Sequence, residues 1–166
     1  MGVLLPLLLL ATPAAGGGRT LSDFLGVTYL LDSDAATAAT PRGGAEIGLK
    51  WVRDLEVSGF AWGTVQNASG AAFDWSKPDA ALVAAQANGQ VALPIVAYTA
   101  EWARSPGPKG CQTAATNTTQ WEQYVTQLAR RYVAKGVTHF QIWNEPGWNN
   151  NPFFCGSEAS FVLVSP

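Results

Sequence analysis

Apolar and polar positions along this chain keep two rhythms in turn, a short apolar run and then a 3.6-residue periodicity. Phe24 to Tyr29 reads as a short strand, and a helix-prone stretch lies around Asp34 to Gly48. Leu49 to Asp54 is a second strand, followed by a turn-rich loop through Gly63 and Gly70. Asp74-Trp75-Ser76-Lys77-Pro78 opens a helix, with Ser76 as its expected N-cap and apolar residues recurring at Ala81, Leu82 and Ala85. Asn88-Gly89 ends that helix, and Gln90 to Tyr98 forms a third strand whose nearly continuous apolar run suits burial on both faces. After a long loop from Thr99 to Thr118, a helix runs from Thr119 to Lys135. Its Trp121, Tyr124, Val125, Leu128 and Tyr132 repeat at helical spacing, with Thr119 as cap and Gly136 as C′ residue. Val137 to Trp143 is the fourth strand, and Gly156 to Val164 begins a further helix.

Strands that alternate with helices call for a parallel sheet, and two closures satisfy that pattern: an open doubly wound sheet or a (β/α)8 barrel. The first strand-to-helix loop holds no Gly-x-Gly-x-x-Gly, and no phosphate-binding Gly-x-x-x-x-Gly-Lys-Ser/Thr occurs in the sequence, so a nucleotide site is unsupported. With 166 residues and 48% hydrophobic content the chain suits one globular domain. A net charge of -2 and the lack of a basic stripe argue against a nucleic-acid partner. Charged residues make up only 13%, about half the usual share, while Trp occurs seven times. Surfaces poor in charge and rich in Trp suit flat, partly apolar ligands such as sugar rings, although most buried aromatics serve packing.

Residues 1–18 read as a secretory leader: Val3 to Leu10 is almost wholly apolar, small residues follow, and no Lys or Arg precedes Arg19. The apolar run is too short to span a bilayer, so residues 19–166 are expected to form the exported, extracellular domain without a membrane span. Cys111 and Cys155 fall in loops after neighbouring strands, where a disulfide fits an oxidising compartment. Asn67-Ala-Ser and Asn117-Thr-Thr are N-glycosylation sequons in small, polar surroundings. Two Cys and a single His supply no metal spacing, and no cofactor is expected.

The run Phe140-Gln-Ile-Trp-Asn-Glu-Pro146 places a carboxyl group beside an amide at the exit of the fourth strand. Pro146 cannot continue the ladder and is expected to hold Glu145 extended. A carboxyl held there, next to Trp143 and Trp148, suits a general acid.

Three strand ends taken together resemble a known family. Leu49-Lys-Trp-Val-Arg53, Leu93-Pro-Ile-Val96 with Trp102-Ala103, and Gln141-Ile-Trp-Asn-Glu-Pro146 are similar to the N-terminal half of clan A glycoside hydrolases, in the cellulase-like and β-xylosidase-like families. The resemblance implies a parallel (β/α)8 TIM barrel, incomplete here because about four of eight βα units are present. It implies retaining hydrolysis of a β-linked oligo- or polysaccharide, with Glu145 as acid/base and Asn144 as the amide that bonds the sugar 2-hydroxyl. Arg53 corresponds to the arginine beneath the second carboxylate, and Trp143 and Trp102 would bind substrate by stacking. The same side chains admit structural roles, an Arg53–Asp54 ion pair and core packing for each Trp. The family's nucleophile, a Glu near the end of the seventh strand, has no counterpart in this sequence, and Glu158 does not replace it. A non-catalytic carbohydrate-binding protein or a vestigial barrel fragment is therefore the alternative. Half a barrel leaves an open edge, so self-association is also expected.

Overall fold

The computed structural model describes residues 20–29, 44–54, 59–108, 111–145 and 154–156. The leader, most of the first expected helix, Pro146, Trp148, Glu158 and the expected C-terminal helix lie outside them. Among the described residues, five short parallel strands carry the fold: β1 (Gly26–Tyr29), β2 (Trp51–Asp54), β3 (Val91–Leu93), β4 (Ile95–Val96) and β5 (Gln141–Ile142). Three helices accompany them: α1 (Trp62–Val65), α2 (Ser76–Ala87) and α3 (Thr118–Val133). A single helical turn at 44–46 is the described part of the first expected helix.

The strands pair in the order β1-β2-β3 and, separately, β4-β5. The expected third strand is thus divided, and its own sequence explains the division. Pro94 has no N–H for the ladder, so pairing is interrupted there. β3 pairs with β2, with Trp51 opposite Val91, and β4 pairs with β5, with Ile95 opposite Gln141. Pro94 still accepts a bond from the Gln141 N–H at 2.9 Å, so the chain stays bound to its neighbour across the break.

Other boundaries also differ from the expectation. A 3-10 turn over Leu21–Phe24 takes the first residue of the expected first strand. The Asp23 carbonyl in that turn accepts the Trp51 indole N–H at 2.9 Å. Gly26 lies opposite Trp51, and a Cβ there would come within 2.6 Å of the Trp51 Cβ, so only glycine allows this approach. The fourth expected strand shrinks to two residues; Trp143, at φ +60, stands at its end, its N–H still on the Val96 carbonyl at 3.0 Å.

Both helix N-caps lie one or two residues before the expected Ser76 and Thr119. Ser76 is the first helical residue, and its N–H is taken by Asp74 Oδ1 at 2.9 Å. α3 is capped by Asn117, whose Oδ1 accepts the N–H groups of Thr119 at 3.0 Å and Gln120 at 3.4 Å. Thr119 is already inside the helix, so its hydroxyl has no capping task. Gly136 does end α3: at φ +88 it lets its own N–H reach the Val133 carbonyl while Val137 reaches that of Tyr132.

α3 buries Trp121, Tyr124, Leu128 and Tyr132, the stripe that its periodicity predicts. They join the fully buried Phe60 and Trp62 and the strand residues Val52 and Val96 in one core. Trp62 packs on Tyr124 and Trp121 at 5.7 Å each and on Trp102 at 5.0 Å. Its indole N–H bonds Gln66 Oε1 at 2.8 Å, and the Tyr124 hydroxyl donates to the Phe60 carbonyl at 2.6 Å. These bonds let large amphipathic rings sit in the interior without an orphaned donor. A disulfide joins Cys111 to Cys155, with Cα atoms 5.6 Å apart, and ties the long loop to the segment after β5.

Candidate active site

Among the described residues the strands pair in parallel, so their C-terminal ends open on one side, where loops are free to gather functional groups. Arg53, next to last in β2, reaches toward β5 across this end. Its Nε donates to Gln141 Oε1 at 2.7 Å and its Nη2 to Asn144 Oδ1 at 2.6 Å. Both are charge-assisted bonds in a half-buried setting, stronger than neutral ones. Gln141 in turn donates its Nε2 to the Trp143 carbonyl at 2.7 Å. The segment after β5 is thus held by a cation from β2 through two amides.

Geometry decides the Asn144 amide orientation. An arginine can only donate, so Oδ1 must face Arg53, and Nδ2 remains as a donor for a ligand oxygen. Glu145 follows, exposed to solvent. It is not extended, as the following proline suggested, but at φ +49 in the left-handed region. The Arg53 clamp and the reversal at Trp143 coil the chain here, overriding the local preference imposed by Pro146.

The two tryptophans assigned to substrate separate. Trp143 is 1% exposed and packs between Tyr98 at 5.4 Å, Phe154 at 5.3 Å and Trp121 at 6.1 Å. It has no face for a ligand; its large apolar surface is better placed in the core, and that part of the assignment is corrected. Trp102 is half-buried, with its indole N–H on the Gln66 carbonyl at 2.9 Å. His139 makes a 2.7 Å contact with the Thr138 hydroxyl and stands edge-on to Trp51 at 5.0 Å. Asn67 and Asn117 are both exposed.

Gln141 was not anticipated. Its signal is a lone amide inside the apolar run Phe140-Gln141-Ile142-Trp143, where a buried polar group needs a partner. The strongly shifted acid also lies elsewhere. Arg131 hydrogen-bonds Asp79 through both Nε and Nη2 and holds its carboxyl down from 3.8 to about 2, with Tyr132 and Lys135 as further donors. Burial and that same carboxylate push the Tyr132 phenol up. This cluster joins α2 to α3 and belongs to the architecture. Among the described residues, no helix is long and apolar enough to cross a membrane.

No protein-family model matches the sequence, and no curated protein is similar to it in sequence. Solved structures do match. A monomeric β-xylosidase from Caulobacter crescentus CB15 aligns over 84% of this chain and 31% of its own, with a TM-score of 0.61 and 21% identity. A GH39 enzyme from Xanthomonas axonopodis pv. citri aligns over 78% of this chain and 28% of its own, at TM-score 0.57 and 21% identity. A family 39 glycoside hydrolase from Bacteroides cellulosilyticus WH2 aligns over 74% and 24%, at TM-score 0.54 and 24% identity. The chain spans about a third of the length of the first of these structures. Over most of its length, therefore, this chain folds like the part of these glycoside hydrolases that it matches, about a third of the β-xylosidase.

Proposed function

We propose that this chain supplies the acid/base side of a retaining glycosidase active site acting on a β-linked oligo- or polysaccharide. In this reading the strands belong to a (β/α)8 barrel. Glu145 protonates the leaving oxygen and then, as carboxylate, takes a proton from the incoming water. Asn144 donates Nδ2–H to the sugar 2-hydroxyl, and Arg53 positions that amide. The nucleophilic carboxylate is assigned to a residue outside this sequence. The protein is secreted, with the leader removed, and carries glycans on Asn67 and Asn117.

One observation carries the reading: Arg53 and Asn144, 91 residues apart, are joined at 2.6 Å directly beside Glu145 at the exit of parallel strands. A plain structural ion pair has no need of an amide partner adjoining an exposed carboxylate.

The test uses the full-length secreted protein with aryl β-xylosides and β-galactosides as substrates. Glu145→Gln should lower kcat/KM on poor leaving groups by about 100-fold or more, while dinitrophenyl glycosides, which need no acid, lose far less. Equal losses on both kinds of substrate would remove Glu145 from the acid role. Sugar binding without any turnover in the parent would favour a carbohydrate-binding protein instead.

A further inference from the structure

The turn that presents Glu145 is supported by little local structure. β5 has two residues, and Trp143 and Glu145 after it both stand in the left-handed region, at φ +60 and +49. Residues with a Cβ avoid that region unless their surroundings impose it. Arg53 clamps the turn from β2. A second hold comes from the chain beyond Glu145, where Phe154, itself buried, sets its ring edge-on against Trp143 at 5.3 Å.

Phe154 is fixed in turn by its neighbour. Cys155 is bonded to Cys111, 44 residues away, and its N–H donates to the Gln112 carbonyl at 2.8 Å. The loop that carries Cys111 is also tied down. Its Ser105 N–H donates to the Ala114 carbonyl and its Thr116 N–H to that of Ala103, both at 2.9 Å. Arg104 Nη1 donates to the Cys111 carbonyl at 3.0 Å. This loop follows β4, the strand that pairs with β5. Contacts therefore run from the β4 loop through the disulfide and Phe154 to Trp143, two residues before Glu145.

Both cysteines are half-buried, and a cleft of about 270 Å3 lined by Arg104, Ser105, Pro108, Cys111 and Thr113 gives a small dithiol a route to the bond. One thiolate of such a reductant attacks Cys111 Sγ, forms a mixed disulfide and expels Cys155 as a thiolate, which takes up a proton. The second thiol of the reductant then closes its own disulfide and releases Cys111 as a thiol. Two electrons pass from the dithiol to the protein, and Phe154 loses its tether.

We propose that the Cys111–Cys155 disulfide and Phe154 form a brace that positions Glu145, so that the acid/base group is set in place only in the oxidised protein. Such an enzyme stays off in a reducing compartment and turns on where the disulfide forms. The part played by Glu145 rests on the glycosidase reading; the brace itself does not.

Two measurements on the full-length protein, with and without dithiothreitol, test it. Hydrogen exchange at the Trp143 amide, bonded to the Val96 carbonyl at 3.0 Å, should speed up about tenfold on reduction and slow again on reoxidation. On aryl β-xylosides and β-galactosides with poor leaving groups, reduction should lower kcat/KM about tenfold, while dinitrophenyl glycosides lose far less. Phe154→Ala, which keeps the disulfide, should show both effects in the oxidised state. The double variant Cys111→Ser/Cys155→Ser should resemble the reduced parent and ignore dithiothreitol. Unchanged exchange at Trp143, on reduction and in Phe154→Ala alike, would overturn the proposal and leave the disulfide a loop staple. Equal losses on both kinds of substrate would overturn it too, because general loosening gives that result. A parent that hydrolyses none of these glycosides would refute the glycosidase reading, while exchange at Trp143 would still decide the brace.

Discussion

Glu145 combines two properties that seldom meet in one residue: it is a charged, exposed side chain, and its backbone stands at φ +49. A left-handed conformation costs a non-glycine residue roughly 1–2 kcal/mol, which the surrounding bonds must offset. Those bonds come from Arg53 to Gln141 and Asn144 and from Gln141 to the Trp143 carbonyl. Ordinary surface positions tolerate Ala better than Gly; here the order should reverse. Glu145→Gly is expected to be more stable than Glu145→Ala by about 1 kcal/mol, read from paired urea unfolding curves, and an Ala variant equal or better would speak against the left-handed backbone. Arg53→Met leaves two amide oxygens without their donor. It should cost about 2–3 kcal/mol in the same assay, and Arg53→Lys should recover little of that, because one ammonium cannot reproduce the fork. Asn144 and Glu145 were legible from sequence as a pair at a strand exit. Their clamp was not, since Arg53 and Gln141 are 88 residues apart and only the tertiary fold brings them to 2.7 Å.

The helix α3 was the most legible element, because one strong apolar stripe over a long run has few competing explanations. Its start was less so: Asn117, Thr118 and Thr119 are all acceptable caps, and the choice falls on the residue whose oxygen can reach two free N–H groups. Capping uses Oδ1 of Asn117, whereas an N-linked glycan is attached through Nδ2, so the two roles are compatible. Asn117→Ala should lower stability by about 1 kcal/mol, whereas Thr119→Ala, which also destroys the sequon, should leave the cap intact. A matching loss of Tm in both variants would mean that the glycan, not the cap, supplies the stability. α2 and α3 are further linked through Asp79 and Arg131, with Lys135 at 3.3 Å. The Asp79 carboxyl is lowered from 3.8 to about 2, so its contribution is complete above pH 4 and fades as pH falls toward 2. After solvent screening it amounts to about 1 kcal/mol. Melting curves of Asp79→Asn should therefore run below the parent at pH 6 and converge with it near pH 2; a constant gap would refute the linkage.

Across the molecule, charge is scarce and apolar surface is unevenly covered. Leu21, Phe24 and Leu25 remain 75%, 62% and 43% exposed next to β1, which has only β2 as a partner among the described residues. A cavity of about 800 Å3 lined by Phe24, Trp51, Val91 and Leu93 opens at the same side. An edge without a second partner among the described residues, beside apolar side chains, favours association, so the 166-residue chain expressed by itself should self-associate. A monodisperse monomer in light scattering with a cooperative melt would show the edge to be harmless. Local chemistry determined much from sequence alone: strand–helix alternation, the buried stripe of α3, the stop at Gly136 and the carboxylate beside an amide at a strand end. Periodicity, backbone conformation and the missing N–H of proline act over a few residues, so they can be read from neighbours. Only the tertiary structure decided that Pro94 divides one strand between two sheets and that Trp143 belongs to the core. It alone turned Glu145 left-handed and joined Arg53 to Asn144, because each outcome depends on groups far apart in sequence competing for the same space and hydrogen bonds.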